Sequence, residues 1–207
     1  MNASTRLPSA AQFASYAGRL GALLGSYDWS PVARLSDELL DCWKTGRTVY
    51  LCGNGGSAAN AVHLANDFLY VLAKGGEPGL RVQALPANQA IVTCLANDVG
   101  YDKVFSFQLA SQARPGDVLI VLSGSGNSPN ILDALHEARR IGMRSYAVLG
   151  YSGGKAKALA DVPIHFAIDD MQISEDAQLI VGHMLMQSLA MHRDKAASAA
   201  APVHARS

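Results

Sequence analysis

The sequence predicts an α/β fold, in which a doubly wound parallel sheet of five strands follows an N-terminal helical extension. Five short apolar runs rich in β-branched residues are each followed by turn residues, a pattern typical of parallel strands buried on both faces. Helical segments lie between these runs, so strand and helix alternate along the chain as in doubly wound folds. The five runs cover residues 48–52, 81–86, 117–123, 145–150 and 163–168.

Two helices are predicted ahead of the first strand, within residues 10–46. In the first, apolar residues recur at intervals of three and four over 13–24, which gives the helix one apolar face. The second begins at Ser30, has Pro31 at its first helical position and ends at Gly46. Both helices therefore need a surface against which to bury an apolar stripe.

The later helices and the composition of the chain's end predict its division into domains. We expect a helical extension over 1–29, one α/β domain over 30–193 and a disordered tail over 194–207, because the last twelve residues, AASAAAPVHARS, are of low complexity. Within the domain, long helices are predicted over 57–73, 128–142 and 174–193.

The charge balance excludes one class of partner. The 207 residues include 17 Lys or Arg and 17 Asp or Glu, so the formal net charge is zero. Proteins that bind nucleic acid or anionic lipid usually carry a basic excess, because neutralising phosphates supplies much of their affinity. We therefore expect no nucleic-acid or membrane partner. Apolar residues make up 49% of the chain and charged residues only 16%, which indicates surface covered by oligomerisation.

The cysteines indicate a reducing compartment. Cys42, Cys52 and Cys94 are odd in number and lie beside apolar residues, where free cysteine behaves as a small buried hydrophobic side chain. No apolar run reaches about 18 residues, the length of a membrane span, and the N-terminal stretch lacks the apolar segment of a signal peptide. We therefore expect a cytoplasmic protein.

Two loops share one design, since GNGGS at 53–57 and GSGNS at 124–128 each follow a predicted strand and open a helix. Glycines let the backbone approach a ligand, and serine hydroxyls and the free amides of a helix N-terminus donate to phosphate oxygens. Neither loop has the Lys-Ser or Lys-Thr of a nucleotide P-loop, and neither carries a dinucleotide fingerprint in the proper context. A single loop of this kind is also explained as a simple connection between a strand and a helix. The presence of two matched loops favours a phosphate site.

Histidines and carboxylates on two helices form a second candidate site. His63 and Asp67 are four residues apart and so share a helix face. Glu175 and His183 lie about two turns apart on the long final helix, again on one face. Such a set can bind a divalent metal or move protons, whereas a histidine on an amphipathic helix is also often a partly buried core residue.

A third polar segment, LANDVGYD over 95–102, is predicted to be a loop. Asn97 and Asp98 have side chains suited to the hydroxyls of a polyhydroxylated ligand. The same residue types also cap helices, and Asp102 is well placed to cap the helix predicted over 102–112. Both interpretations stay open at this point.

Four motifs in one order resemble the SIS (sugar isomerase) domain, specifically the phosphoheptose isomerase group, over roughly residues 30–192. They are GNGGSAANAVHLANDF, ANDVGYDKVFSFQL, LSGSGNSPNILDALHEARRIGM and a GYSGGK turn followed by a histidine-bearing final helix. The resemblance implies a flavodoxin-like SIS fold, a homotetramer with active sites at subunit interfaces, and zinc or another divalent metal. It also implies interconversion of sedoheptulose 7-phosphate and D-glycero-D-manno-heptose 7-phosphate, in the synthesis of heptose precursors of lipopolysaccharide or capsule.

The resemblance also assigns roles to residues. It implies that His63, Asp67, Glu175 and His183 bind the metal and that Asp67 and His183 are catalytic. Three residues depart from the family pattern, since Asp67 replaces a glutamate, Glu175 a glutamine and Gly124 a threonine. Substrate or phosphate contacts are implied for Asn54, Gly55, Gly56, Ser57, Asn97, Asp98, Ser123, Gly124, Ser125, Ser128 and Glu175.

These parts are sufficient for an aldose–ketose isomerisation. A base must remove the proton next to a carbonyl, the enediol must be stabilised, and the phosphate end must be held fixed. We predict Asp67 as the base, His183 as the acid–base partner at the carbonyl oxygen, and a divalent metal as an electrophile. Two alternatives stay open. One is a non-catalytic SIS protein that binds a sugar phosphate or a replication initiator protein, and the other is an isomerase of a different sugar phosphate.

Overall fold

A computed structural model of the chain describes residues 9–74, 76 and 78–200, with side chains to residue 195. The five predicted strands are present in it and form one parallel sheet in the order β2-β1-β3-β4-β5. The predicted doubly wound α/β fold is therefore confirmed. The strands are β1 Val49–Gly53, β2 Val82–Ala84, β3 Val118–Ser123, β4 Arg144–Leu149 and β5 Val162–His165.

Helices lie on both faces of the sheet. The second helix has the predicted ends, since Pro31 lies in its first turn and Gly46 follows its last residue in the left-handed conformation, with φ of 72°. The helices are α1 Ala10–Gly25, α2 Ser30–Thr45, α3 Gly56–Ala73, α4 Gln89–Asp98, α5 Ser106–Gln112, α6 Pro129–Ile141, α7 Ala156–Leu159 and α8 Met171–Ala200.

The ends of the chain differ from the predicted domain boundaries in one respect. Helix α8 continues to Ala200, so the tail predicted over 194–207 begins inside a helix. Residues 201–207 of that tail, and residues 1–8 of the predicted extension, lie outside the described residues.

The segment 95–102 was predicted to be a loop, and this prediction is wrong for its first half. Asn97 and Asp98 lie in the last turn of α4, which begins after Asn88, whose side chain accepts a hydrogen bond from the Ile91 amide. The predicted cap at Asp102 is also wrong. Asp102 belongs to a short 3-10 turn over 101–103, and α5 begins only after Phe105.

The core is divided between the two faces of the sheet, because side chains alternate along each strand. Val49 and Leu51 of β1 pack with apolar residues of α2, α3 and α8. Tyr50 and Cys52, which point the other way, pack with residues of α4, α5 and α6. Both faces of the strand are fully covered, which explains why its sequence is apolar without alternation.

Helix α1 reaches the first core only at its end, where the partly buried Leu23 and Leu24 pack against it. None of its residues is buried, although Tyr16 donates a hydrogen bond of 2.5 Å to Asp176 and Arg19 forms an ion pair with Asp170 at 2.8 Å. The bond to Asp176 raises the pKa of Tyr16 to about 12. Within the described part of the chain, no helix combines the length and the apolar character needed to cross a membrane.

The strand order places a crevice between β1 and β3. The chain proceeds from β1 to β2 on one side and through β3 to β5 on the other, so the order reverses between these two strands. Gly53 ends β1 opposite Leu122, next to Ser123 at the end of β3, so both strands finish at the same edge. Ligands of open α/β sheets bind outside the carboxyl ends of strands at such a reversal. We call the space between loops 54–57 and 124–128 the crevice.

Candidate active site

The loop after β1 is held in shape by its own polar side chains. Asn54 and Asn130 exchange two amide hydrogen bonds of 2.8 Å each, and the Tyr101 hydroxyl donates to Asn54 Oδ1 at 3.0 Å. The predicted ligand-binding amide of Asn54 is therefore engaged with the protein. Gly55 precedes α3, and Gly56 begins it, so the first turn of that helix opens toward the crevice.

Ser57 was predicted to contact substrate, but the structure buries it. Its hydroxyl accepts a hydrogen bond from Gln178 Nε2 at 3.0 Å, and Gln178 Oε1 accepts one from Asn60 at 3.0 Å. Asn60 also donates to the backbone carbonyl of Glu175 at 3.0 Å. These four residues form a network that fixes α8 against α3, and each buried polar group in it has a partner.

The loop after β3 has the geometry of an anion cradle. Ser123 is buried and its Oγ accepts from the Gly126 amide at 3.1 Å, which shapes the turn. Ser125 Oγ accepts from the Asn127 amide at 3.3 Å. Ser128 immediately precedes α6, and its hydroxyl forms no hydrogen bond with the described residues. Free hydroxyls and the positive end of α6 therefore meet at this loop.

Asn97 and Asp98, which were predicted to contact substrate, lie side by side in the last turn of α4. Asn97 donates to Asp98 at 2.7 Å, and the Cys94 thiol bonds the other carboxylate oxygen at 3.5 Å, which raises the pKa of Cys94. The residue of this segment that reaches the crevice loops is Tyr101, through Asn54. Tyr101 thus connects this segment to the loop after β1.

The two histidines and Asp67 meet between α3 and α8. His63 Nε2 lies 3.0 Å from His183 Nε2, and Asp67 Oδ2 lies 3.4 Å from the first and 3.6 Å from the second. The two imidazoles are nearly half exposed, at 48% and 46%, whereas the Asp67 side chain is only 18% exposed. The i, i+4 spacing on α3 and the parallel course of α8 bring together three residues predicted to share a site.

This group has the composition of a metal site. One ligand atom from each of His63, Asp67 and His183 lies within 4.8 Å of the others. Two imidazoles and a carboxylate are a ligand set of catalytic zinc sites, which keep a further position open for water or substrate. The three residues therefore fit zinc or another divalent metal. Glu175, the fourth predicted ligand, is not part of this group among the described residues.

Glu175 lies instead at the mouth of the crevice, where the first turns of α8 cross the strand ends. Met171 packs on Gly124, since a Cβ there would lie 2.8 Å from Met171 Sδ. Both carboxylate oxygens of Glu175 pack so closely on Gly56 that any Cβ at that position would collide with them. A side chain at residue 56 would therefore require the end of the Glu175 side chain to move from this position.

The sequence did not indicate several of the residues that shape the site. Tyr101 and Asn130 hold Asn54. Gln178, which accepts a hydrogen bond from Asn60, holds Ser57 across 121 residues. The only signal for them was that Tyr101, Asn60 and Asn130 lie within or beside the Gly-rich and Asn-rich motifs.

The chain is similar to proteins of one family. The family model of the SIS domain matches residues 12–150. A phosphoheptose isomerase from Trichlorobacter lovleyi is 38% identical over 156 residues, which are 75% of this chain and 79% of that protein. The structure of a phosphoheptose isomerase from Francisella tularensis matches with a TM-score of 0.83 at 25% identity, over 89% of this chain and 100% of that one. The structure of a phosphoheptose isomerase from Neisseria gonorrhoeae matches with a TM-score of 0.80 at 30% identity, over 88% of this chain and 96% of that one.

Proposed function

This chain belongs to the SIS-domain family and, within it, to the phosphoheptose isomerases, and we propose that it is an aldose–ketose isomerase of sugar phosphates. Its proposed reaction interconverts sedoheptulose 7-phosphate and D-glycero-D-manno-heptose 7-phosphate through an enediol. The observation that carries the proposal is the meeting of two imidazoles and a carboxylate between α3 and α8, in a fold that also carries an anion cradle at the loop 124–128. An isomerase needs this combination, because one end of the substrate must be held while protons move at the other.

The cradle would hold the phosphate. The hydroxyls of Ser125 and Ser128 and the first turn of α6 offer donors to its oxygens. His183 is the proposed acid–base partner at the carbonyl oxygen, since its imidazole is accessible and lies beside Asp67. The carbon-bound proton needs a carboxylate, and Asp67, beside His183, is the proposed base.

The proposed metal, zinc or another divalent ion, would be held by His63, Asp67 and His183. These residues supply two nitrogens and one oxygen at mutually compatible positions. When bound, such an ion polarises a carbonyl oxygen and stabilises negative charge on it. The protein's own contribution is to orient both imidazoles through Asp67 Oδ2.

We also propose a homotetramer with active sites at subunit interfaces, as the family resemblance implies. The exposed helix α1 supports this, because it buries none of its residues within one chain and leaves Phe13 66% exposed. The half-exposed imidazoles of His63 and His183 support it too, since a second copy could cover them. A cytoplasmic location agrees with the absence of a disulfide among Cys42, Cys52 and Cys94.

The proposal is tested by incubating the purified protein with sedoheptulose 7-phosphate in deuterated water, with and without zinc. We expect the aldose to form and deuterium to enter at C1 or C2, and NMR measures both. His183→Ala should slow this exchange by at least about 100-fold, with an unchanged unfolding midpoint as the control for folding. If no ketose phosphate exchanges a proton, while such sugars still raise the unfolding temperature, the protein is a sugar-phosphate-binding protein and the enzyme proposal is wrong.

A further inference from the structure

A second cavity opens at the edge of the sheet opposite the crevice. It has a volume of about 720 Å³ and lies where β1, β2 and β3 begin, because its lining includes Thr48, Arg81 and Asp117, which immediately precede these strands. Since β1 rises about 13 Å from Val49 to Gly53, about this length of strand separates the cavity from the loops of the crevice. We call it the amino-edge cavity. Its size is typical of sites that bind small molecules.

Two arginine side chains at the amino-edge cavity have no bonded partner. The guanidinium groups of Arg81 and Arg114 are exposed and form no hydrogen bond or ion pair with the described residues. Both act on one phenol, that of Tyr50. Burial raises the pKa of Tyr50 and the charge of Asp117 raises it further, whereas the charges of Arg81 and Arg114 lower it. The two positive charges therefore lie near the same group.

The carboxylate beside these arginines is already engaged. Asp117 is 5% exposed, and its oxygens accept hydrogen bonds from two backbone amides, Oδ1 from Thr48 at 2.8 Å and Oδ2 from Arg114 at 2.9 Å. Asp117 thus fixes the backbone of Arg114 against the start of β1. Among the described residues that line the cavity, it is the only acidic one, so the lining carries a net positive charge.

Another part of the lining is apolar. It consists of Leu69 and Ala73 near the end of α3 and of Leu80 and Val82 at β2, and Leu69 is 51% exposed. These two segments pack closely, because a Cβ at Gly79 would lie 2.6 Å from the backbone carbonyl oxygen of Leu69. Covering an exposed leucine with an apolar group is favourable. The cavity therefore combines two unpaired guanidinium groups with exposed apolar surface.

We propose that the amino-edge cavity binds a small molecule that carries a phosphate group and an apolar part, with the phosphate held between Arg81 and Arg114. Planar guanidinium groups donate paired hydrogen bonds to phosphate oxygens, and two of them neutralise a dianion. The apolar part of the ligand covers Leu69 and Val82. The proposed isomerisation uses none of these residues, so binding at this cavity does not depend on that activity.

Arginine modification tests the site on the intact protein, with phenyl phosphate as the probe. Phenylglyoxal reacts with accessible guanidinium groups, and mass spectrometry of peptides measures the rate at each arginine. Near-saturating phenyl phosphate should slow the modification of Arg81 and Arg114 about tenfold. Arg34, an exposed arginine of α2, is the matched control and should react at an unchanged rate. Sodium chloride at the same ionic strength should protect none of the three.

Inorganic phosphate, which lacks the apolar part, should protect the same two arginines only at a higher concentration. Equal protection by inorganic phosphate and phenyl phosphate would overturn the role of the apolar lining. Equal rates with and without phenyl phosphate at Arg81 and Arg114 would overturn the site. If neither arginine reacts even without a ligand, both are covered in the native protein and the proposal is wrong.

Variants separate this site from the proposed phosphate site of the crevice. Arg81→Gln and Arg114→Gln should each weaken the binding of phenyl phosphate about 10- to 100-fold in isothermal titration calorimetry. Their unfolding midpoints should stay near that of the wild type, because both side chains are exposed. Ser128→Ala, in the loop after β3, should leave the protection of Arg81 and Arg114 unchanged. Binding that is lost in Ser128→Ala and kept in both arginine variants would overturn the proposal.

Discussion

The two glycine-rich loops that flank the crevice are alike in sequence and unlike in structure. In the loop after β1, the polar side chains are used by the protein itself, since Asn54 is bonded to Asn130 and Tyr101, and Ser57 to Gln178. These bonds hold the loop and the start of α3 in place. The first loop thus forms a rigid wall of the crevice and offers a ligand little beyond its backbone.

In the loop after β3, hydroxyl groups remain available to donate hydrogen bonds to a ligand. Ser128 has a hydroxyl without a partner among the described residues, and Ser125 only accepts a bond, so its own proton remains to be donated. Two loops with similar sequences at two strand ends can therefore have different functions. The second loop is suited to bind the phosphate, while the first supports Glu175 at the opposite side of the crevice.

Among changes in the two loops, the largest effect is expected from Ser128→Ala, which removes a free donor from the second loop. Hydrogen bonds to charged groups contribute about 1.5–3 kcal/mol, so KM for sedoheptulose 7-phosphate should rise about 10- to 100-fold, with kcat nearly unchanged because the contact is made equally in the transition state. Steady-state kinetics measure this. Ser111→Ala, on the exposed face of α5, is the control and should match the wild type. A fall in kcat with constant KM would show that Ser128 does not hold the phosphate.

Particular residues show which parts of the fold and of the site can be predicted from the sequence. Strands β1 and β3 were the most readily predicted, because each is a nearly continuous apolar run, as expected when both faces are buried. His63 and Asp67 were predictable as a pair because their i, i+4 spacing places them on one helix face, whereas the family resemblance joined them to His183 on another helix. Helix α4 was missed because its apolar run over 91–95 is too short to distinguish strand from helix.

The partners of the crevice residues could not be predicted in the same way. Asn54 meets Tyr101 and Asn130 across 47 and 76 residues, and only the folded arrangement of loops decides such pairs. Glu175 was placed with the metal ligands because of its spacing from His183. Spacing along one helix does not reveal that the carboxylate lies against Gly56 of another.

A smaller effect, on stability, is expected from Ser57→Ala in the first loop. The change leaves the buried Nε2 of Gln178 without its acceptor, which should lower the free energy of unfolding by about 1–3 kcal/mol. KM for the sugar phosphate should change far less than in Ser128→Ala. Urea unfolding tests the loss of stability, and steady-state kinetics on the same preparation test the change in KM. A large rise in KM without a loss of stability would mean that Ser57 contacts the substrate after all and that the two loops share their task.

The smallest effect is expected at Gly124, where the second loop meets α8. A Cβ there would lie 2.8 Å from Sδ and 3.3 Å from Cε of Met171, but these atoms end a flexible side chain that is 38% exposed and can move aside. Gly124→Ala should therefore change the free energy of unfolding by less than about 1 kcal/mol.

Gly150 is the matched contrast, because a Cβ there would collide with the side chain of the buried Ser174. Gly150→Ala should lower the free energy of unfolding by about 1–3 kcal/mol, because it overpacks a buried contact. If Gly124→Ala is instead as destabilising as Gly150→Ala, Met171 is fixed over the cradle. The contact of α8 with the second loop would then be as rigid as its contact with the first, and the cradle would have to bind phosphate without adjusting its shape.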